Sequence, residues 1–176
     1  MNIDILGQKI KITSTVLSDI DRIIEFENSN YKFVHQYSKE KHIELVKSND
    51  CLHLSIKRLD NDRLLGHMII FGLEKPDKTL EFRRITIVEK GFGFGREAIN
   101  IIKQICFEKL NFHRLWLDVF DDNERAIRLY ESEGFVYEGT LRDCLRTGNG
   151  YRSQRIYSIL ENEYKPLVNK SYPINP

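Results

Sequence analysis

The chain lacks long apolar runs, a strong excess of either charge and a regular spacing of cysteines. Its longest apolar runs have the length of a strand, and no basic region followed by an apolar segment opens the sequence, so we expect neither a membrane span nor a signal peptide. Lysines and arginines number 27 against 26 acidic residues, which gives no bulk positive charge to bind nucleic acid or an anionic membrane. Neither kind of partner is therefore expected.

Cysteine is scarce, and its number is odd. Cys51, Cys106 and Cys144 fit no metal-ligand spacing and cannot form a complete disulfide framework. They are typical of reduced thiols inside a cell. The sequence therefore predicts a cytoplasmic protein without a bound metal.

The length and composition indicate one globular domain. A chain of 176 residues with 41% hydrophobic and 30% charged residues can bury a sizeable core, but it is too short for two ordinary domains. Regular structure should end near Pro166. We therefore predict a domain over residues 1–165 and a loose tail over residues 166–176.

The most informative stretch is residues 84–96, RITIVEKGFGFGR, in which an apolar strand runs through alternating glycines into a helix. Glycine lets the main chain approach a ligand, and the first turn of a helix offers unpaired N–H groups and a partial positive charge. Lys90 and Arg96 add full charges beside Gly91, Gly93 and Gly95. The pattern predicts either a phosphate site or a tight turn.

Two common phosphate motifs do not fit this stretch. A dinucleotide fingerprint starting at Gly91 would need a third glycine where Arg96 stands, and the strands before the loop are predicted to be antiparallel. A nucleoside-triphosphate loop would need Gly-Lys-Ser/Thr after the glycines, which the sequence does not contain. A diphosphate site of another kind remains.

Antiparallel strands precede the glycine loop, and a strand, helix, strand unit surrounds it. The predicted elements are a strand over 9–13, a helix from Ser18 with Asp21 as a capping-box partner, a helix from Ser38 to 49, strands over 51–59, 64–73 and 79–88, a helix ending near 111, a strand over 114–120, a short helix with Asp122 or Asn123 as N-cap and Gly134 as stop, and strands over 135–145 and 151–160. A right-handed crossover makes the strand over 114–120 parallel to that over 79–88. The fold class is therefore α+β, mixed α/β.

The connection over residues 28–37 is rich in aromatic residues, with Tyr31, Phe33, His35 and Tyr37. Such residues could form one wall of a substrate cleft. Aromatic residues between two helices are more often packed in the core, and we favour packing here.

Two motifs in this order resemble the GNAT family of acetyl-coenzyme A dependent N-acetyltransferases. The first is KGFGFG, in which Lys90, Gly93 and Gly95 match the arginine/glutamine-x-x-glycine-x-glycine/alanine loop with lysine in the first place. The second is DNERAIRLYESEGF, in which the matching residues are Asn123, Ala126, Tyr130, Gly134 and Phe135. The resemblance covers residues 9–163 and is greatest to the branch of ribosomal-protein N-terminal and polyamine acetyltransferases.

The second motif also makes chemical sense without a family. Asn123, Ala126 and Tyr130 differ by three and four positions, so they share one face of a helix. An amide can pair with a pantetheine arm, a methyl group leaves room for that arm, and a phenol can protonate a departing thiolate. The alternative is that Tyr130 is a half-buried aromatic residue of an amphipathic helix.

The resemblance implies one domain whose mostly antiparallel sheet of six to seven strands contains a splayed parallel pair and carries helices on both faces. It implies acetyl-CoA as donor, held by the main chain of Ile85, Thr86 and Ile87. It places the donor diphosphate on Lys90, Gly91, Phe92, Gly93, Phe94, Gly95 and Arg96, with Asn123, Ala126 and Tyr130 along the pantetheine. A neutral amine would attack the thioester directly, and an N–H near Ile85 would stabilise the oxyanion. A covalent route through Cys106 or Cys144 has no activating neighbour in the sequence.

An ammonium acceptor must lose a proton, which requires a base or a chain of waters. Glu81 is the first candidate, because strict alternation puts it on the same side as Ile85; a solvated edge glutamate is the alternative. Asp118 is the second candidate, with an ion-pair role as its alternative. His113 is interpreted as structural.

The acceptor is the least determined part: a protein N-terminus, a small amine, an amino sugar or a polyamine. The acidic residues Asp19, Asp21, Glu25 and Glu27 would suit a polyamine but can equally form the wet face of a helix. The arginines would instead favour an anionic substrate: Arg83, Arg84, Arg142, Arg146, Arg152 and Arg155. The alternative to an enzyme is an acyl-CoA sensor or scaffold without turnover. The exposed edges of the closing strands are compatible with a homodimer.

Overall fold

A computed structural model describes residues 2–148, 150–166 and 172. Within these residues, eight strands form one sheet: β1 (Asp4–Leu6), β2 (Ile10–Ser14), β3 (Cys51–Arg58), β4 (Leu64–Phe71), β5 (Thr79–Ile87), β6 (Arg114–Phe120), β7 (Val136–Thr147) and β8 (Gly150–Leu160). Their spatial order is β1-β2-β3-β4-β5-β6-β8-β7. The sheet has one strand more than the six to seven predicted, because a three-residue strand is too short to show an alternating pattern.

Four helices lie against this sheet: α1 (Ile20–Ser29), α2 (Lys39–Lys47), α3 (Phe94–Gln104) and α4 (Glu124–Ser132). A 3-10 turn, Leu17–Asp19, precedes α1, and a π-helical turn, Ile105–Lys109, continues α3. None of the helices in the described ranges is long and apolar enough to cross a membrane. The α+β class with helices on both faces is confirmed.

The predicted N-caps are confirmed for two helices and wrong for a third. Ser38 caps α2 by accepting a hydrogen bond from the Lys41 N–H, and Asn123 caps α4 through Ala126, as predicted. The capping box expected from Ser18 and Asp21 is wrong, because the chain enters α1 through the 3-10 turn and no side chain caps it.

The face of the sheet that carries α3 holds the main apolar core. Alternate residues of the central strands point to it, including Leu54 of β3, Met68 of β4 and Phe82 of β5. They pack with the apolar stripe of α3, to which Ile101 and Ile102 belong. The strand period of two and the helix period of 3.6 thus meet at one interface, which fixes α3 behind the glycine loop.

The opposite face is polar although it is buried. Glu27 of α1 has no exposed surface, and it accepts hydrogen bonds from Arg84 of β5, from His67 Nε2 of β4 at 3.0 Å and from the Tyr37 N–H at 2.9 Å. Burial alone would raise the pKa of Glu27, but hydrogen bonds from histidines and the Arg84 charge outweigh burial and hold the pKa well below its usual range. The carboxylate therefore ties α1 to two central strands.

A chain of hydrogen bonds continues from this carboxylate towards the surface. His42 Nε2 lies 3.5 Å from Glu27, and His42 Nδ1 contacts His53 Nε2 at 2.9 Å. His53 Nδ1 contacts the Thr15 hydroxyl at 2.9 Å, and Thr15 contacts Ser55 at 3.0 Å. Ser55 donates to the Asp19 carboxylate at 2.8 Å. These contacts pair much of the buried polar face, although His42 Nε2, His67 Nδ1 and the Thr86 hydroxyl have no hydrogen-bond partner among the described residues.

The parallel pair diverges. β5 and β6 pair only at Thr79 with Arg114, Leu80 with Leu115 and Glu81 with Trp116. β5 continues to Ile87 and β6 to Phe120 without further pairing to each other. The predicted splayed pair is confirmed, and the gap opens beside the glycine loop.

A β-bulge changes the side assignment along β5. Ile69 pairs with Arg84 and Ile70 with Phe82, which leaves Arg83 as the extra residue. The bulge reverses the alternation. Glu81 therefore lies on the α1 face, whereas Ile85 packs towards the α3 core, and the prediction that the two share a side is wrong.

Most of the predicted loose tail, residues 167–171 and 173–176, lies outside the described residues. Tyr172 is described, and it does not fit a loose tail. It is 7% exposed within the main core, and its backbone exchanges two hydrogen bonds of 3.2 Å with the side-chain amide of Gln104. At least this residue is tied to α3.

We expect the buried histidines to make folding stability fall in mild acid. Burial lowers the pKa of His53 from 6.5 to about 3, and burial also lowers the pKa of His67. Below pH 6.5 the unfolded chain therefore takes up protons that the native chain does not. His53 alone should reduce the free energy of unfolding by about 2 kcal/mol between pH 8 and pH 5.

Urea denaturation followed by circular dichroism at pH 8 and pH 5 measures this difference. His53→Gln should reduce the pH dependence, whereas His113→Gln, which changes an exposed histidine, should leave it intact. Equal unfolding midpoints for the unmodified protein at both pH values would contradict the expectation.

Candidate active site

A cleft of about 850 Å³ runs through the gap between β5 and β6. Its walls are the α1–α2 connection, the second half of β5, the glycine loop, the end of β6 and one face of α4. It brings together twelve of the predicted site residues: Ile85, Thr86, Ile87, Lys90, Gly91, Gly93, Phe94, Gly95, Arg96, Asn123, Ala126 and Tyr130. Two predicted residues, Glu81 and Phe92, do not line it. Two separate stretches of the sequence, 85–96 and 123–130, therefore converge on one cavity.

The glycine loop takes a backbone conformation that only glycine adopts without strain. Gly91 and Gly93 have φ angles of +94° and +85°. A Cβ on Gly91 would meet no atom within 4 Å, and one on Gly93 would approach only the Lys9 ammonium at 3.6 Å. The loop thus leaves open space in front of the first turn of α3, where unpaired N–H groups favour an anion.

The charges around the loop differ from the prediction. Arg96 pairs with Glu133 at 2.9 Å and donates to Ser132 at 3.2 Å, so its charge is partly neutralised. Lys9 was missed by the sequence analysis: its ammonium donates to the Phe92 carbonyl at 3.0 Å. Because Lys9 and Phe92 are 83 positions apart, no local sequence pattern indicates this contact.

Phe92 itself turns away from the cleft. Its side chain is 57% exposed and stacks on Phe94, with 5.6 Å between the ring centroids. Only its main chain can belong to an anion site. The side chain of Phe92 therefore has no place among the cleft residues.

The predicted face of α4 points into the cleft. The side-chain oxygen of Asn123 accepts the Ala126 N–H at 3.3 Å, which leaves the amide NH₂ of Asn123 available. Tyr130 is 7% exposed and packs edge-on against Phe82 and Phe135. Burial, together with the Asp118 charge, raises the pKa of Tyr130 well above its usual range. The phenol therefore stays protonated and can donate.

The edge of β5 that faces β6 offers unpaired main-chain groups. On its other edge β5 pairs with β4 through Ile85, Thr86 and Ile87, whereas towards β6 pairing stops at Glu81. The Thr86 hydroxyl is buried and has no partner among the described residues. An extended ligand could pair along this edge.

The two predicted base candidates occupy different positions. Glu81 is buried, forms an ion pair with Arg83 and lies outside the cleft lining. Burial raises the pKa of Glu81, the Arg83 charge opposes the shift, and the Asp118 charge adds to it. Asp118 lines the cleft, where it accepts a hydrogen bond from Gln154. Burial also raises the pKa of Asp118 against the opposing charge of Arg83.

The aromatic connection between α1 and α2 forms a cleft wall, while Tyr37 also packs against the small core cluster of Leu45, Cys51 and Ile69, so both interpretations hold in part. Phe33, His35 and Tyr37 line the cleft, whereas Tyr31 is 74% exposed. Arg84 anchors the wall: its guanidinium lies 3.9 Å from the Tyr37 ring centroid and donates to the His35 carbonyl. The Glu27 network therefore positions this wall.

The arginines do not form an open anion site at the acceptor end. Arg84 is neutralised by Glu27 and Arg83 by Glu81. Arg152 binds Asp122 and stacks 3.5 Å above the Phe120 ring centroid. None of the four closing-strand arginines is in the cleft lining.

The cysteines offer no activated thiol in the cleft. Burial raises the pKa of Cys51 to about 12 and raises that of Cys106 further still. Cys144 is exposed on β7 and contacts Gln154 Oε1 at 3.4 Å, but it does not line the cleft. Across the described ranges, no group of three or more His, Cys, Asp or Glu residues is arranged to hold a metal ion.

The family follows from a direct comparison. The model of the acetyltransferase (GNAT) family matches residues 20–135, from α1 to the end of the α4 motif. The chain belongs to the GNAT family. GNAT enzymes generally use acetyl-CoA as co-substrate, and the matched region contains both the glycine loop and the face of α4 described above.

Individual GNAT relatives are distant. A spermidine N(1)-acetyltransferase of Vibrio cholerae is 32% identical over 102 residues, which are 57% of this chain and 59% of that enzyme. Acetyltransferase PseH of Campylobacter jejuni is 29% identical over 63% of this chain and 74% of its own. The solved structure of a spermidine N-acetyltransferase chimera from Vibrio cholerae has a TM-score of 0.81 at 22% identity, covering 89% of this chain and 98% of the other. That likeness supports the fold alone.

We expect Glu27→Gln to destabilise this GNAT domain by about 3–5 kcal/mol, because it leaves the buried Arg84 guanidinium without its carboxylate. Urea denaturation at pH 7.5 measures the loss. Glu25→Gln is the matched control, since Glu25 lies on the same helix, pairs with Arg22 and is 60% exposed at its side chain; it should stay within about 0.5 kcal/mol. Equal effects of the two substitutions would contradict a structural role for Glu27.

Proposed function

We propose that the protein is an acetyl-CoA dependent N-acetyltransferase that transfers acetyl to a primary amine by direct attack. The observation that carries the proposal is the convergence of the glycine loop, the unpaired edge of β5 and Tyr130 on one cleft. An anion seat, an extended edge and a buried proton donor are what a thioester donor with a diphosphate requires. The family match supports the same reaction class.

The donor fits the residues of the cleft. The open space in front of Gly91 and Gly93 would take the diphosphate, with Lys90 and the first turn of α3 as its positive partners. The main chain of Ile85–87 would pair with the pantetheine amides, and Asn123 with Ala126 would border the arm on its other side. Phe94, Gly95 and Arg96 complete the loop.

The reaction balances without a covalent enzyme intermediate. The amine nitrogen bonds to the thioester carbonyl, and an N–H of β5 near Ile85 stabilises the oxyanion that forms. The carbon–sulfur bond then breaks, Tyr130 donates its proton to the leaving thiolate, and the amine gives one proton to a base. Glu81 stays a prediction for that base, although its ion pair with Arg83 and its position outside the cleft weigh against it.

The competing function is an acyl-CoA sensor that binds the donor without turnover. The orientation of Tyr130 and Asn123 into the cleft favours the enzyme, because a sensor needs no buried proton donor. A cytoplasmic location is part of the proposal and rests on the three free cysteines. A homodimer is supported by β7, an edge strand that exposes Val136, Tyr137 and Leu141.

The test is release of free thiol from acetyl-CoA by the purified protein with a panel of primary amines. Tyr130→Phe should lower kcat by about 10²- to 10⁴-fold through loss of the proton donor, while the Kd for CoA stays within twofold. Gly93→Val should instead raise the Kd for CoA, because a side chain at φ +85° strains the loop and enters the diphosphate space.

Calorimetry with CoA separates the two variants, and circular dichroism checks that both fold. Binding of CoA without thiol release for any amine of the panel would favour the sensor. An unchanged kcat in Tyr130→Phe would remove the proposed acid role.

A further inference from the structure

Carboxylates are the groups that could receive an acceptor ammonium, and four of them line the cleft. Three are neutralised by basic side chains: Glu89 by Arg58 and Arg63, Asp122 by Arg152 and Lys32, and Glu124 by Arg128. Asp118 is the fourth. Within the part of the chain that the structure describes, no basic side chain lies within 4.0 Å of it, and its hydrogen-bond partner is the neutral amide of Gln154.

Asp118 also stands at the reacting end of the cleft. It follows Trp116, the last residue of β6 that pairs with β5, so it lies where the two strands begin to part. Its negative charge contributes to raising the pKa of both Tyr130 and Glu81. Asp118 is therefore close enough to both Tyr130 and Glu81 for its charge to act on them.

We propose that Asp118 binds the ammonium of the acceptor and takes up its proton, and that the acceptor carries a single amine on an uncharged body. The inference rests on the proposed acetyltransferase function. One proton passes from the ammonium to the Asp118 carboxylate, and the free amine then bonds to the thioester carbonyl. As the carbon–sulfur bond breaks, Tyr130 gives its proton to the leaving thiolate, and the second proton lost by the nitrogen restores the Tyr130 phenol through solvent. Asp118 returns its own proton to solvent.

Burial suits this carboxylate to the role. Partial desolvation raises the pKa of Asp118 and brings it closer to that of an amine, which makes it a better proton acceptor than an exposed aspartate. The charged and titratable groups around it are Glu81 and Arg83 of β5 and Tyr130 of α4, while β8 presents the neutral Gln154.

The same charge pattern excludes a second ammonium. A polyamine needs several anionic subsites along its length, but the other lining carboxylates already hold guanidinium or ammonium groups. Arg83 and Arg84 on the β5 wall are balanced by Glu81 and Glu27 and leave no surplus negative charge. Phe33 and Val34 also line the cleft and offer apolar contact to an uncharged body. A monoamine fits this distribution better than spermidine does.

The experiment measures kcat/KM at saturating acetyl-CoA with benzylamine, phenethylamine, putrescine and spermidine from pH 6.5 to pH 9.5. The wild-type protein should prefer the monoamines by at least about tenfold. Asp118→Asn should lower kcat/KM by about 10²-fold or more at pH 7.5, with partial recovery at high pH, where the amine arrives already deprotonated. Glu81→Gln tests the rival base, and Glu161→Gln, at an exposed site, is the control that should keep wild-type activity.

A second variant keeps the carboxylate in case Asp118→Asn fails to fold. Gln154→Leu removes the hydrogen bond to Asp118, so the acidic limb of the kcat/KM profile should move to higher pH without a change in the Kd for CoA. An unmoved limb would count against Asp118 as the titrating base.

The outcomes separate the two proposals. If Asp118→Asn turns over as fast as the wild type, or if only Glu81→Gln loses turnover, the role of Asp118 is overturned. Preference of the wild type for spermidine overturns the monoamine acceptor. If none of the amines gives thiol release although CoA binds, the acetyltransferase function is overturned and this inference with it.

Discussion

The buried carboxylate of Glu27 is the interaction on which the architecture around the cleft depends. It joins α1 to Arg84 of β5, to His67 of β4 and to the main chain at Tyr37. Each of these groups would be costly to bury alone, so none can leave without the others. Arg84 also donates to the His35 carbonyl, so the network reaches the α1–α2 connection directly. The polar network sets the position of the cleft wall.

The cleft also depends on the pairing between β5 and β6, which ends part-way along the two strands. Because β5 and β6 stop pairing after Glu81 and Trp116, one missing ladder creates both the cavity and the unpaired edge along it. The bulge at Arg83 adds a second effect, since it turns the side chains that follow to the opposite faces. Local defects in a regular sheet therefore generate the site, while the regular parts hold it in place.

Sequence reasoning reached much of this fold because the signals were local. A few neighbouring residues suffice to recognise that Asn123, Ala126 and Tyr130 share one face of a helix, and that the glycines of the loop can adopt positive φ angles. The misses that bear on the site were non-local: the bulge that reverses Glu81, the contact of Lys9 with the glycine loop, and the burial of Glu27 on a helix that looked merely acidic. A pattern of charges along a helix does not reveal which charge faces inward. The isolation of Asp118 likewise depends on where distant basic side chains point.

The turn between β1 and β2 wraps around the first turn of α3. The N–H groups of Gln8 and Lys9 both donate to the Glu97 carboxylate, and a Cβ on Gly7 would lie only 2.1 Å from that oxygen. The amino-terminal hairpin therefore supports the glycine loop and is not a peripheral addition to the sheet. A fused domain or a surface tether placed ahead of β1 would therefore be attached beside a turn that contacts the glycine loop directly.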